Sequence, residues 1–261
     1  MNPNKVNQLS SVAEDTEQCQ SRTNIVVKPV WLDCDPGHDD AFAILLAAYH
    51  PYLKLIGIST VVGNQTIDRT TANVYKVLHL ANIKNIPVIQ GCSEPLCQPI
   101  STCPEIHGQT GMDGADIPEA PQKHNVEDDE NYLWKIYRLI VDNGSRITLM
   151  ATGQLTNVAL LLKVFPKVKN YIEEIVIMGG CIGLGNMSPA AEFNILNDPE
   201  AAHIVFSSNV RLVMVPLEVT HTVCVTPDIS QRLDLINSRF STILNHLLHF
   251  FASTYSVKNI F

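Results

Sequence analysis

Beyond residue 25, short β-branched apolar runs alternate with longer amphipathic or small-residue stretches. This is the pattern of βαβ units stacked on a mainly parallel sheet. The apolar runs predict strands over 25–32, 53–62, 86–90, 147–151, 174–178 and 211–216. Between them the spacing predicts helices over 38–50, 68–81, 127–143, 157–165 and 199–207. The first follows a Pro-Gly turn and stops where Pro51 would break it. The last opens with Asp198 as N-cap and Pro199 at the first helical position. A further run, 233–255, carries Leu235, Ile236, Phe240, Ile243, Leu244, Leu247, Leu248, Phe250 and Phe251. It predicts one helix too apolar to be solvated on every face. The stretch 91–125 has prolines, glycines and cysteines without periodicity, and a loop of that length is usually functional or mobile. Residues 1–25 are polar and aperiodic and predict a disordered tail, leaving 26–261 as one open, mainly parallel, doubly wound α/β domain of Rossmann-like type.

In such a sheet ligands bind beyond the carboxyl ends of the strands, so the polar groups that terminate each strand matter most. The first strand runs into Asp33-Cys34-Asp35-Pro36-Gly37-His38-Asp39-Asp40, the second into Gly63-Asn64, and the fourth into Thr152-Gly153. The fifth leads through Met178-Gly179-Gly180 towards Asn186, Glu192 and Asn194. Four carboxylates within eight residues repel one another and are costly to hold together without a cation. Aspartates with a backbone carbonyl and water suit Ca2+, with Mg2+ as the competing ion. The spacing superficially resembles an EF-hand loop, but that loop needs a preceding helix and a Glu at its twelfth position, where this chain has Ile44. A phosphatase-like aspartate nucleophile is another reading. So is a solvated turn in which Asp39 and Asp40 merely favour the positive end of a helix. Polar groups at several strand ends of one face are poorly explained as independent turns.

Composition narrows the ligand. Apolar residues make up 46% of the 261, enough for a real core, and the formal charge is -8. Nucleic-acid binding needs clustered Lys and Arg that this chain lacks. No apolar run has the length of a signal peptide core or a membrane span. Seven cysteines, several inside apolar runs, read as reduced thiols, and the expected compartment is the cytoplasm. Cys92, Cys97 and Cys103 with His107 lack the paired spacing of a zinc site, so an ordinary loop is expected there.

The segment from Leu32 to Ala41 is similar to the N-terminal signature of the inosine-uridine preferring nucleoside hydrolases. The likeness continues through Val61-Val62-Gly63-Asn64-Gln65-Thr66, Ile106-His107-Gly108, Ala151-Thr152-Gly153, Ile177-Met178-Gly179-Gly180 and Ala191-Glu192-Phe193-Asn194. That resemblance implies hydrolysis of the N-glycosidic bond of ribonucleosides, giving ribose and a free base, on an open α/β fold with bound Ca2+. It implies that Asp33, Asp40 and the main-chain carbonyl of Thr152 ligate calcium and that Asp35 orients and deprotonates a calcium-bound water. Asp39, Asn64, Asn186, Glu192 and Asn194 would hold ribose hydroxyls, with Met178 against the sugar and His107 near the base. Relatives commonly assemble as homo-oligomers, so copies of the chain are possible partners beside the nucleoside.

One departure bears on activity. The family's His-Asp-Pro segment, with a further calcium ligand and a histidine associated with base departure, does not follow Phe261. The expectation is a weakened metal shell and low turnover. The rival reading is an inactive, truncated isoform that binds ribose or a partner protein through the apolar run 233–255, left uncovered as an association surface.

Overall fold

The computed structural model describes residues 26–121, 130–238 and 240–258. The stretch expected as a disordered tail, residues 1–25, lies outside them. Six strands form one sheet: β1 (Lys28–Cys34), β2 (Leu53–Thr60), β3 (Val88–Gln90), β4 (Ile147–Ala151), β5 (Ile172–Met178) and β6 (Leu212–Val215). Every pairing is parallel and the order is β3-β2-β1-β4-β5-β6. The chain therefore winds outward from β1 in one direction and from β4 in the other. The carboxyl ends of β1 and β4 meet at the topological switch point, where an open α/β sheet leaves a crevice.

Successive residues of a strand face opposite sides of the sheet, and the core divides accordingly. Trp31 and Leu149 face one layer with α4 (Tyr132–Asp142), α5 (Thr156–Val164) and α7 (Pro199–Phe206). Leu32, Ile58 and Leu55 face the other, against α1 (His38–Tyr49) and α2 (Ile67–Leu80). The helix α1 ends where expected, because His50 before Pro51 is driven to extended backbone (φ -68°, ψ 126°). Asn131 caps α4 by accepting from the main-chain N–H groups of Leu133 and Trp134. The helix expected from 127 thus begins at Tyr132, and residues 127–129 lie outside the described residues. Asp198 caps α7 through Ala201 N–H, as the sequence predicts.

Two expectations need correction. The irregular stretch after β3 contains a single helical turn, α3 (Pro104–His107), and buries Cys103, Ile106 and Met112. The run 233–255 is not one helix. Two further short helices, α6 (Phe193–Asn197) and α8 (Leu217–Thr220), precede it, and the chain then forms α9 (Pro227–Ile236) and α10 (Ser241–Lys258). Asn237 adopts the left-handed conformation (φ 48°, ψ 40°) that asparagine tolerates at a helix end. Ser238 Oγ then accepts from the N–H groups of Phe240 and Ser241 and starts the next helix. Nor is the run left bare: Leu247 is buried against the α1–α2 layer, and Phe251 packs on Cys103, Ile106 and Phe193. Among the described large apolar side chains of the run, the exposed ones are Leu235 and Ile236 at the end of α9.

Candidate active site

Asp33 sits one residue before the end of β1, in register with Ser59 of β2 and Ala151 of β4. Its Oδ1 accepts from the Ser59 hydroxyl, which itself accepts from the Trp31 indole N–H at 2.9 Å. The Asn157 side-chain amide also donates to that oxygen, at 2.8 Å, and to the Thr60 carbonyl at 2.9 Å. Asp33 Oδ2 is buried with no partner. Burial pushes this carboxyl up to about 7, against the smaller opposing effect of the Ser59 and Asn157 donors.

Asp35 is likewise fully buried, directly beneath Asn64. The main-chain N–H of Asn64 donates to Asp35 Oδ2 at 2.7 Å, and the Asn64 amide donates to the Asp35 carbonyl at 3.1 Å. Asp35 Oδ1 has no partner. A Cβ on Gly63 would lie 2.1 Å from Asp35 Oδ2, and one on Gly153 2.7 Å from Oδ1, so only glycine lets the backbone come this close. Burial and then the neighbouring Asp40 raise its pKa well above the carboxylate range. Asp40, at the start of α1, accepts from Thr152 Oγ at 2.6 Å and from Gly37 N–H at 3.1 Å. It too is pushed up to about 7, mainly by burial and then by Asp39.

Above this floor lies one cleft bordered by Asp39, Asn64, His107, Thr152, Met178, Asn186, Glu192 and Asn194, with Cys103, Ile106, Phe193 and Phe251 on its apolar side. Asn194 spans two strand ends, donating to the carbonyls of Thr152 (2.9 Å) and Met178 (3.1 Å). Glu192 caps α6, accepting from the N–H groups of Asn194 and Ile195, and also from Gly180. Asn186 Oδ1 accepts from Phe193 N–H at 2.9 Å. The eight cleft residues anticipated from the sequence thus share one cavity, while Asp33, Asp35 and Asp40 lie under it.

Among the described residues no three His, Cys, Asp or Glu side chains form a ready-made ion cage. The set anticipated here uses only two side chains, Asp33 and Asp40, with the Thr152 carbonyl, which accepts from Asn194 in this structure. The donor chemistry fits a hard cation: all oxygen, and two buried carboxylate oxygens, Asp33 Oδ2 and Asp35 Oδ1, without a hydrogen bond.

A model of the inosine-uridine preferring nucleoside hydrolases matches residues 30–260. The chain belongs to that family. A probable ribonucleoside hydrolase of Dictyostelium discoideum is 43% identical over 241 residues, covering 87% of this chain and 71% of its own length. The pyrimidine-specific ribonucleoside hydrolase RihA of Enterobacter sp. (strain 638) is 44% identical, covering 85% and 70%. Among solved structures, the purine-preferring ribonucleoside hydrolase of Gardnerella vaginalis superimposes with a TM-score of 0.81 at 29% identity, covering 88% of this chain and 74% of that one. The protein is accordingly a nucleoside hydrolase by family and fold, and the EF-hand and phosphatase readings of the acidic turn fall away.

The sequence reading missed the groups that hold the acids in place. Ser59 and Asn157 stand in ordinary strand and helix positions, although a serine and an asparagine amid apolar positions are a signal in themselves. Phe251 stands in the sequence only as one member of an apolar run. Asn157→Ala would strip one donor from Asp33 and leave the Thr60 carbonyl and the Cys92 N–H, which Asn157 Oδ1 accepts at 2.8 Å, without that partner. The expected cost is about 2–3 kcal/mol, a fall of roughly 4–12 °C in melting temperature by calorimetry. A variant melting with the parent would show that Asn157 is not holding this floor.

Proposed function

We propose that the cleft binds a ribonucleoside with its ribose over the acidic floor and hydrolyses its N-glycosidic bond, with Asp35 taking the proton of the attacking water. The observation that carries this is Asp35 Oδ1: a buried carboxylate oxygen with no partner, wedged between two glycines under the cleft. A base must keep a lone pair free and close to its water, and Asp35 keeps one on Oδ1 while its Oδ2 accepts from Asn64 N–H. Asp33, Asp40 and the Thr152 carbonyl would hold Ca2+, with the Asn194 amide sharing or releasing that carbonyl. When bound, the ion supplies the positive charge that neutralises the carboxylates and makes water a better nucleophile.

The chain's own groups do the rest. Asp39, Asn64, Asn186, Glu192 and Asn194 provide acceptors and donors for ribose hydroxyls, and Met178 packs on the sugar. As the bond to the base breaks, positive charge grows on the ribosyl ring, and carboxylates and amide oxygens around it stabilise that charge. His107 borders the cleft on the base side. Among the described residues, Cys34, Cys92, Cys97, Cys181 and Cys224 are free thiols, which supports work in a reducing cytoplasm.

A site built to pair with sugar hydroxyls leaves its own polar groups unpaired when one hydroxyl is missing. Uridine and inosine are therefore expected to exceed their 2′-deoxy counterparts by at least about 10³-fold in kcat/KM, read by the absorbance change of the released base. A ratio below ten would remove the ribose reading of the cleft.

A further inference from the structure

His107 does not stand alone at the edge of the cleft. Its ring lies so close to the backbone at Gly37 that a Cβ there would sit 2.4 Å from Nδ1. Its Nδ1 is 3.2 Å from Nδ1 of His38 and 3.3 Å from the His38 main-chain N–H. The far side of the His38 ring is anchored, with Nε2 2.8 Å from the Asp113 carbonyl. A carbonyl only accepts, so Nε2 carries a hydrogen. Phe250 stacks on the His38 ring at 5.1 Å between centroids and 2° between planes, and Phe251 lies 5.5 Å from the His107 ring. His38 is 2% exposed and His107 6%. Neither ring can turn without breaking a packed contact.

We propose that His38 is a positioning residue for the hydrolysis: it bridges the Asp113 carbonyl to His107, commits His107 Nδ1 to the interior, and leaves His107 Nε2 as the one ring nitrogen available to the departing base. The role needs the tautomer in which His107 Nδ1 accepts from the His38 main-chain N–H, because only then does the neutral ring carry on Nε2 the hydrogen offered to the departing base. The inference rests on the reading of His107 as the base-side residue. It extends that reading to a group that touches no substrate and is set by the α1 N-terminus, the 108–114 turn and α10 together.

The experiment compares His38→Asn, whose amide can reach the place of Nδ1, with His38→Phe, which keeps the stack on Phe250 and removes both nitrogens. With uridine or inosine, whose base is a poor leaving group unless hydrogen-bonded or protonated, His38→Phe is expected to lower kcat by about tenfold to a hundredfold with KM nearly unchanged. His38→Asn should recover most of that loss. With 4-nitrophenyl riboside, whose leaving group needs no such help, both variants should match the parent. Ring nitrogen-15 NMR of histidine-labelled full chain gives a second readout, in which the His107 Nδ1 signal moves in His38→Phe and stays near its place in His38→Asn. Equal losses on both substrate types in a folded variant, or no loss on either, would overturn the proposal. His107→Phe separates the two readings: if it affects nucleoside and nitrophenyl riboside alike, the base-side role of His107 fails. The His38 contact is then judged by the Nδ1 signal alone, and an unmoved signal in His38→Phe overturns it.

Discussion

Asp35→Asn is expected to cut turnover of uridine and inosine by about 10³-fold or more while the variant melts no lower than the parent. The two halves of that expectation come from the same geometry. Asparagine is nearly isosteric with aspartate, so it fits between Gly63 and Gly153, where any larger group would collide. Its carbonyl oxygen can still accept from Asn64 N–H in the place of Oδ2. What disappears is the lone pair on Oδ1, the oxygen the fold leaves unpaired, and with it the capacity to take a proton. Stability does not suffer, because the native carboxylate is held against burial and against Asp40, both of which favour its neutral form. A neutral amide removes that tension. Steady-state rates and a thermal melt on the same preparation decide the matter. A variant with parental turnover would take the base role away from Asp35, and one that fails to fold would make Asp35 a structural group.

The split between chemistry and stability at this residue explains what could be read in advance. Sheet strands were legible because a parallel sheet buried on both faces demands continuous apolar runs, and β4 falls where its run falls. The acidic turn was legible because clustered like charges have few structural uses. The supporting groups were not, since Ser59 and Asn157 reach Asp33 only after β2 and α5 have been brought to the switch point, 26 and 124 residues away along the chain. Hydrophobic periodicity also failed to mark the break at Asn237, because a left-handed residue followed by a serine cap interrupts the backbone without interrupting the apolar pattern. After that break α10 brings Phe250 and Phe251 against His38 and His107.

Calcium and pH should act on stability together, and the sign follows from the buried acids. Asp33 releases its proton near 3.8 in the unfolded chain but holds it up to about 7 in the folded one, and Asp40 behaves alike. Between those values the unfolded state binds fewer protons than the native state, so stability falls as pH rises through the window. For Asp33 alone the difference amounts to about 4 kcal/mol. His107, lowered by burial to about 4, and His38, also lowered by burial, pull the other way below their unfolded value of 6.5. A melt in chelator alone therefore mixes opposing slopes. Comparing chelator with saturating Ca2+ isolates the acids, because the histidines titrate in both arms. A cation bound by ionised Asp33 and Asp40 competes with their protons. The rise in melting temperature on adding Ca2+ should thus be small at pH 5 and several degrees larger at pH 7.5. In Asp33→Asn the rise should shrink at both, since one carboxylate and its proton competition are gone together. An increment that is the same at pH 5 and pH 7.5 would mean that these carboxylates do not meet the ion.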